Sequence, residues 1–333
     1  MLFSPIYSLF MITLVMGSLL SISSSSWFGA WVGLELNLMS FIPLISSKLT
    51  SSSSEVALKY FLIQALGSSI IILSSSLLLT YINSAAPLIL TAILLKLGSA
   101  PFHFWFPQIM EGLMWPQVII ISTIQKLAPM FLISYIVINP FIMNLLLLSA
   151  ISSAMVGALG GINQMNLRKI IAFSSINHMA WMLSAIAMKE NLWILYFSFY
   201  CLISSSVIML FHSIKAFHFS NLLNHLNNSP MLAMLTPMSL LSLGGLPPFS
   251  GFIPKWILIQ MMASEKNTPP IICTSSLNTN HPVFLSTNFY YIFNYINSLF
   301  KMKNKIYYKK NNKISLIIFI NLFGLLFPAL MLI

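Results

Sequence analysis

Leu95-Lys96-Leu97-Gly98-Ser99-Ala100-Pro101-Phe102 closes an apolar run with a lysine, a glycine and a proline. Gly98 and Pro101 should open the helix there and free backbone carbonyls beside the ammonium. A charge at the middle of a bilayer costs about 2.5–3.5 kcal/mol on insertion scales. Three more lysines and a glutamate, Lys59, Lys126, Lys255 and Glu35, stand inside similar runs. Five such charges together cost about as much as the net stability of a typical domain. Charges that expensive usually serve ion movement.

Composition fixes the class around this segment. The chain has 333 residues, is 58% hydrophobic and only 6% charged, and its mean hydropathy is +0.89. With repeated apolar stretches this reads as an all-α polytopic membrane protein without a soluble domain. The net charge of +11 comes from basic residues in short loops between apolar runs, which suits topology signals and anionic lipid headgroups and argues against nucleic acid. Cys201 and Cys273 are far apart, so no CxxC pair, iron–sulfur ligand set or disulfide framework is offered. No nucleotide-binding glycine motif is found. The N-terminus lacks a basic leader, so its first apolar run is expected to be a retained helix.

Apolar runs predict eleven spans, at about 4–22, 27–46, 56–81, 86–106, 116–138, 141–160, 167–187, 191–214, 230–264, 271–298 and 314–333. The run at 230–264 is too long for one crossing and contains Gly244-Gly245-Leu246-Pro247-Pro248, so it is expected to be a broken helix. Assigning loop charges by parity puts Lys48, Arg168, Lys169, Lys215 and six lysines of 301–313 on the N-terminal side, against Lys189 and Lys266 on the other. That bias predicts an N-terminus on the cytoplasm-like side and a C-terminus opposite it.

The opening segment has a second copy. Leu241-Ser242-Leu243-Gly244-Gly245-Leu246-Pro247-Pro248 shares L-x-L-G-x-x-P with it, in the ninth span against the fourth. Five spans separate the copies, so they would be inverted, the architecture in which broken helices meet near the midplane around an ion pathway. The approximate repeats are 1–138 and 141–298, with a C-terminal helix at 314–333.

Candidate residues follow from charge and helix breaks. Glu35 lies mid-span, either as the partner of a structural lysine or as a titratable modulator of a neighbouring one. Lys96, Lys126 (three residues before Pro129) and Lys255 (directly after Pro254) each adjoin an expected helix break. A lysine desolvated in this way can take up or release a proton when a nearby charge changes. Lys59 is one turn from Glu55, which suits an interfacial ion pair as well as a channel role. His178 falls mid-span among Ser174, Ser175 and Asn177, where it would support a water chain or satisfy an interhelical hydrogen bond. His103, at the mouth of the fourth span, is a further relay candidate. The other histidines show no metal-ligand spacing.

These segments resemble the antiporter-like membrane-arm subunits of mitochondrial NADH:ubiquinone oxidoreductase (respiratory complex I), in their short animal form. The resemblance rests on Trp31-Val32-Gly33-Leu34-Glu35-Leu36, on Lys96 through Pro107, and on Gln125-Lys126-Leu127-Ala128-Pro129. It continues through Gly160-Gly161-Ile162-Asn163-Gln164, Leu167-Arg168-Lys169-Ile170, Ser174 through Met179, and Leu243 through Trp256. It implies two inverted five-helix repeats, with three N-terminal helices lost in the animal form. It also implies a mitochondrial inner-membrane location with a matrix N-terminus and an intermembrane-space C-terminus. The implied role is proton translocation, with Glu35 and Lys96 coupled, Lys126 central and Lys255 in the second half-channel. NADH, FMN, iron–sulfur clusters and ubiquinone would sit on other subunits, with no cofactor or metal in this chain. Partners would be other membrane-arm subunits and anionic lipids such as cardiolipin. Residues 265–313 depart from the pattern, with Pro269-Pro270, His281-Pro282 and no closing arginine. A subunit of a multi-subunit cation/proton antiporter is the alternative, since lysine placement alone fits both; a structural scaffold would not need the buried charges.

Overall fold

Apolar helices make up nearly all of the computed structural model, which describes residues 5–47, 51–78, 82–137, 139–188, 192–226, 230–247 and 249–264. In chain order they are Pro5–Ser23 (α1), Trp27–Ile45 (α2), Ser51–Leu77 (α3), Ile82–Leu97 (α4), Trp105–Gly112 (α5), Trp115–Ser122 (α6) and Ile124–Ile136 (α7). There follow Pro140–Gly161 (α8), Leu167–Met188 (α9), Leu192–Ile214 (α10), Phe219–Leu226 (α11), Pro230–Gly244 (α12) and Phe252–Ser264 (α13). Seven stretches among the described residues are long and apolar enough to cross a membrane: α1, α2, α3, α6 with α7, α8, α9 and α10. Shorter apolar helices at Ala85–Leu97, Leu235–Gly244 and Phe252–Met262 belong to the expected fourth and ninth spans. The expected tenth and eleventh spans, and the lysines between them, lie outside the described residues.

Serine-rich runs are accommodated in apolar helices because their hydroxyls fold back on the helix. Ser18 donates to the Val15 carbonyl at 2.8 Å, Ser21 to Ser18 at 2.7 Å, and Ser74 to Ile70 at 2.7 Å. All three serines are buried, and a hydroxyl satisfied this way can be buried without an unmet hydrogen bond. The ends are capped in the same spirit. Ser26 accepts from the Gly29 amide at 3.2 Å to begin α2. Gln117 donates to the Leu44 carbonyl at 2.6 Å at the end of α2, while its own carbonyl accepts from the Met114 amide at 2.9 Å.

The described residues divide into two compact units, Met1–Ala150 and Ile151–Ile333. In the first, α1 buries only Leu14, Gly17, Ser18 and Ser21, one face at helical spacing, and presents the rest outward. That face meets α2 backbone to backbone: a Cβ on Gly17 would lie 2.9 Å from the Gly33 carbonyl oxygen, and one on Gly33 would lie 2.5 Å from the Ser21 amide. Small residues allow this approach where hydrophobicity alone gives helices no reason to associate. In the second unit α9 is buried nearly all round, 94% of its apolar window, and α10, α12 and α13 pack on it or on one another.

Two short helices were not expected: α5, which falls almost wholly between the expected fourth and fifth spans, and one after α10. The loop after α10 folds back, pinned by an antiparallel bridge between Asn166 and His218, and then forms the short amphipathic α11. Leu167 donates its amide to the Phe217 carbonyl and Phe219 to that of Met165, both at 3.0 Å.

Candidate functional site

Lys96 lies in the last turn of α4, 6% exposed. The helix ends as Gly98 and Pro101 predict: Gly98 takes φ +70°, and its amide and that of Ser99 turn back to the Leu94 carbonyl at 3.1 and 3.3 Å. The freed carbonyls are not left bare. Trp105 Nε1 donates to Leu95 O at 3.0 Å, and Gln64 Nε2, from α3, donates to Lys96 O at 3.1 Å. Gly67, one turn further along α3, makes room for the lysine stem, since a Cβ there would be 2.8 Å from Lys96 Cγ.

Lys126, 2% exposed, follows a different interruption from the one its sequence suggests. Pro129 remains inside α7. The break falls at Thr123, whose φ and ψ of −116° and −76° separate α6 from α7, and the Lys126 amide donates to the Thr123 carbonyl at 3.1 Å. Proline fits because it is six residues past the break and costs one internal hydrogen bond, to Gln125, beside a polar cavity.

That cavity is the centre of the first unit. Lys96 and Lys126 both line it, with Tyr60, Gln64, Asn37 and Gln125 among their neighbours. Its volume of about 20 Å³ exceeds the ~10–15 Å³ needed for one water, and polar side chains share its walls with apolar ones. Tyr60 donates to Gln125 Oε1 at 3.2 Å, and Gln125 Nε2 donates to Asn37 Oδ1 at 2.8 Å, so α2, α3 and α7 share one network. The Lys126 ammonium lies 5.0 Å from the centre of the Phe106 ring. Glu35, half-buried on α2, is within electrostatic reach of Lys96 without a direct hydrogen bond to it.

The second unit has its own broken helix. Gly245 takes φ +74° after α12, with its amide returned to Leu241 and Ser242 at 3.1 Å. Lys255, 5% exposed, sits in the first turn of α13, where the helix dipole opposes a cation. Its ammonium turns back to the opposite pole and donates to the Gly244 carbonyl at 2.8 Å, at the C-terminal end of α12. The neighbouring carbonyl of Leu243 accepts from His178 Nε2 at 3.2 Å, and His178 Nδ1 is 2.8 Å from the Tyr196 hydroxyl.

The two breaks also correct the register of the repeat. The left-handed glycines are Gly98 and Gly245, so the structures match one residue away from the L-x-L-G alignment, which pairs Gly98 with Gly244. Gly244-Gly245 offered two glycines, and the helix used the second.

Of the remaining candidates, Lys59 forms an exposed pair with Glu55 at 2.5 Å and does not line the cavity. His103 is buried in the segment between α4 and α5, stacked on Phe104 with ring centres 4.1 Å apart, and its Nδ1 has no hydrogen-bond partner. Among the described residues no group of three or more His, Cys, Asp or Glu is placed to hold a metal. Asn37, Tyr60, Gln64, Gln125 and Tyr196 are participants that sequence reasoning did not single out. Gln64 one turn after Tyr60 in an apolar run was the available signal for α3.

Residues 24–279 match a family model described as NADH:quinone oxidoreductase/Mrp antiporter, TM. The chain is 43% identical to NADH-ubiquinone oxidoreductase chain 2 of Anopheles gambiae over 331 residues, covering 96% of this chain and 95% of that one. It is 42% identical to the protein of the same name from Aedes aegypti, covering 97% of each. Its fold is similar to a chain of respiratory complex I from Thermus thermophilus, with TM-score 0.77 and 22% identity over 98% of this chain and 79% of that one. A chain of the Mrp complex from Dietzia is also similar, with TM-score 0.72 and 16% identity over 83% and 58%.

Proposed function

We infer, from the premise that this chain belongs to the NADH:quinone oxidoreductase/Mrp antiporter family and to its NADH-ubiquinone oxidoreductase chain 2 members, that it translocates protons as a membrane-arm subunit of that enzyme. The observation that carries this reading is the water-sized polar cavity shared by Lys96 and Lys126 next to a broken helix. Two ammoniums facing one such space repel, so arrival of a proton at one favours departure from the other. Glu35 sets the charge felt by Lys96, Lys126 receives and passes the proton, and Lys255 with His178 does the same at the second break. His103 is a further relay candidate, whereas the Lys59–Glu55 pair serves the interface. Approximate repeats at 1–138 and 141–298, with a C-terminal helix at 314–333, fit this division of labour.

Redox chemistry on other subunits, with NADH, FMN, iron–sulfur clusters and ubiquinone, would drive the cycle. The chain would reside in the mitochondrial inner membrane, N-terminus in the matrix and C-terminus in the intermembrane space. Its partners would be other membrane-arm subunits and anionic lipid.

Lys126 provides the test. Arginine keeps its charge but is effectively never deprotonated, and methionine removes the charge at similar length. A relay role requires that both Lys126→Arg and Lys126→Met lower NADH-driven proton uptake in vesicles containing the assembled complex, per complex. Full pumping by the arginine variant would refute the relay and leave Lys126 a structural counter-ion.

A further inference from the structure

His178 and Tyr196 form a pair whose hydrogen positions follow from chemistry. The Leu243 carbonyl can only accept, so the imidazole nitrogen 3.2 Å from it, Nε2, carries a hydrogen. In the neutral ring the basic lone pair is then on Nδ1, and the Tyr196 hydroxyl 2.8 Å away donates to it. Both residues are buried, and the ring centre of Tyr200 lies 5.1 Å from that of His178.

With Gly98 and Gly245 in register, the carbonyl two residues before the left-handed glycine is Lys96 O in one break and Leu243 O in the other. Gln64 takes the first and His178 the second. Gln64 cannot change its charge. His178 can, while staying attached to α12 through Nε2, and a proton gained there adds charge beside the Gly244 carbonyl that holds Lys255.

We propose that Tyr196 both positions His178 and relays its proton: it fixes His178 in the Nε2–H tautomer, and its hydroxyl is the point at which Nδ1 gains or loses a proton. The proposal rests on the proton-translocating reading above. In the forward step the Tyr196 O–H bond breaks as an Nδ1–H bond forms, and the phenol oxygen takes a proton from a protonated water on its other side. Histidine ends as imidazolium, tyrosine as neutral phenol, and one proton has left the water. Tyr196, Tyr200 and Ser204 line a cavity there of about 10 Å³, at the ~10–15 Å³ threshold for one water.

The experiment uses the assembled complex carrying the full chain, reconstituted in vesicles, with proton uptake per NADH oxidised and per complex. Tyr196→Phe keeps the ring and removes the hydroxyl, and is expected to lower uptake about fivefold, the equivalent of one net hydrogen bond. His178→Gln keeps an amide donor for the Leu243 carbonyl and abolishes titration, and should lower uptake comparably. The double variant should fall no further than His178→Gln alone, because the tyrosine acts through the histidine. Wild-type uptake in Tyr196→Phe, or independent losses that multiply in the double variant, would overturn the assignment. A Tyr196→Phe complex that assembles poorly is still decided by the double-variant comparison, read per complex. Lys126→Met in the same preparation separates the two levels: impaired pumping there with full pumping in Tyr196→Phe overturns only the tyrosine's role, and full pumping in both overturns the reading beneath it.

Discussion

Replacing Gly67 by alanine should make α3 a better helix and the protein a worse pump. In a helix interior alanine is favoured over glycine by about 0.8–1.0 kcal/mol, which offsets the cost of moving the buried Lys96 stem, so the complex should still assemble. The new Cβ would stand 2.8 Å from Lys96 Cγ and 3.2 Å from Cε. Carbon atoms settle at about 3.5–4.0 Å, so the stem must retreat by about 0.7–1.2 Å at Cγ. The Lys96 backbone cannot follow, because its carbonyl is held by Gln64 and its helix ends at Gly98. The shift therefore passes to the ammonium in the cavity. Misplacement by about 1 Å can cost up to ~10²-fold in a geometry-dependent transfer, and a loss of about tenfold is expected here. The assay is proton uptake per NADH oxidised, beside the thermal stability of the purified complex. A Gly67→Ala complex that pumps at the wild-type ratio would refute the idea that α3 sets the position of Lys96.

Gly245→Ala should damage both assembly and pumping, since it forces a Cβ at φ +74° to within 2.9 Å of the Gly251 carbonyl oxygen and of Lys255 Nζ. Complex abundance on native gels and proton uptake check this, and normal values for both would contradict it. Lys59→Ala should leave complex stability and pumping nearly unchanged, because its ion pair is exposed; a large pumping defect would return Lys59 to the relay. An epitope at the N-terminus should resist protease in intact mitoplasts while one at Ile333 is digested, as eleven crossings require, and matching fates at both ends would refute that count.

The helix breaks were legible because their causes are local. Glycine followed three or two residues later by proline marks a helix end at Gly98 and at Gly245 without knowledge of any neighbour. Lys126 shows the limit of such reasoning. Pro129 looked like the break, but a missing amide is tolerable where the orphaned carbonyl adjoins a polar cavity, and the interruption moved to Thr123. The partners that fix each site were hidden for another reason. Nothing in an isolated helix says that Gln64 faces the end of α4, or that Tyr196 faces His178, since both meetings depend on which helix packs on which. The amphipathic α11 went unseen because eight residues are too few to stand out beside long apolar runs.

The two left-handed glycines carry a genetic consequence. Any single-base change in a glycine codon that alters the amino acid, without ending the chain, introduces a Cβ. At Gly98 that atom would meet Trp105 and Phe106 at 3.1–3.2 Å, in a backbone conformation L-residues seldom adopt. Point mutation therefore has no small step to explore at Gly98 or Gly245. Outward-facing leucines such as Leu62 and Leu66 can drift among apolar residues at little cost. Inherited variants in this chain should accumulate on the outer helix faces and be nearly absent from these two codons, a contrast that can be counted in any large set of sequenced individuals.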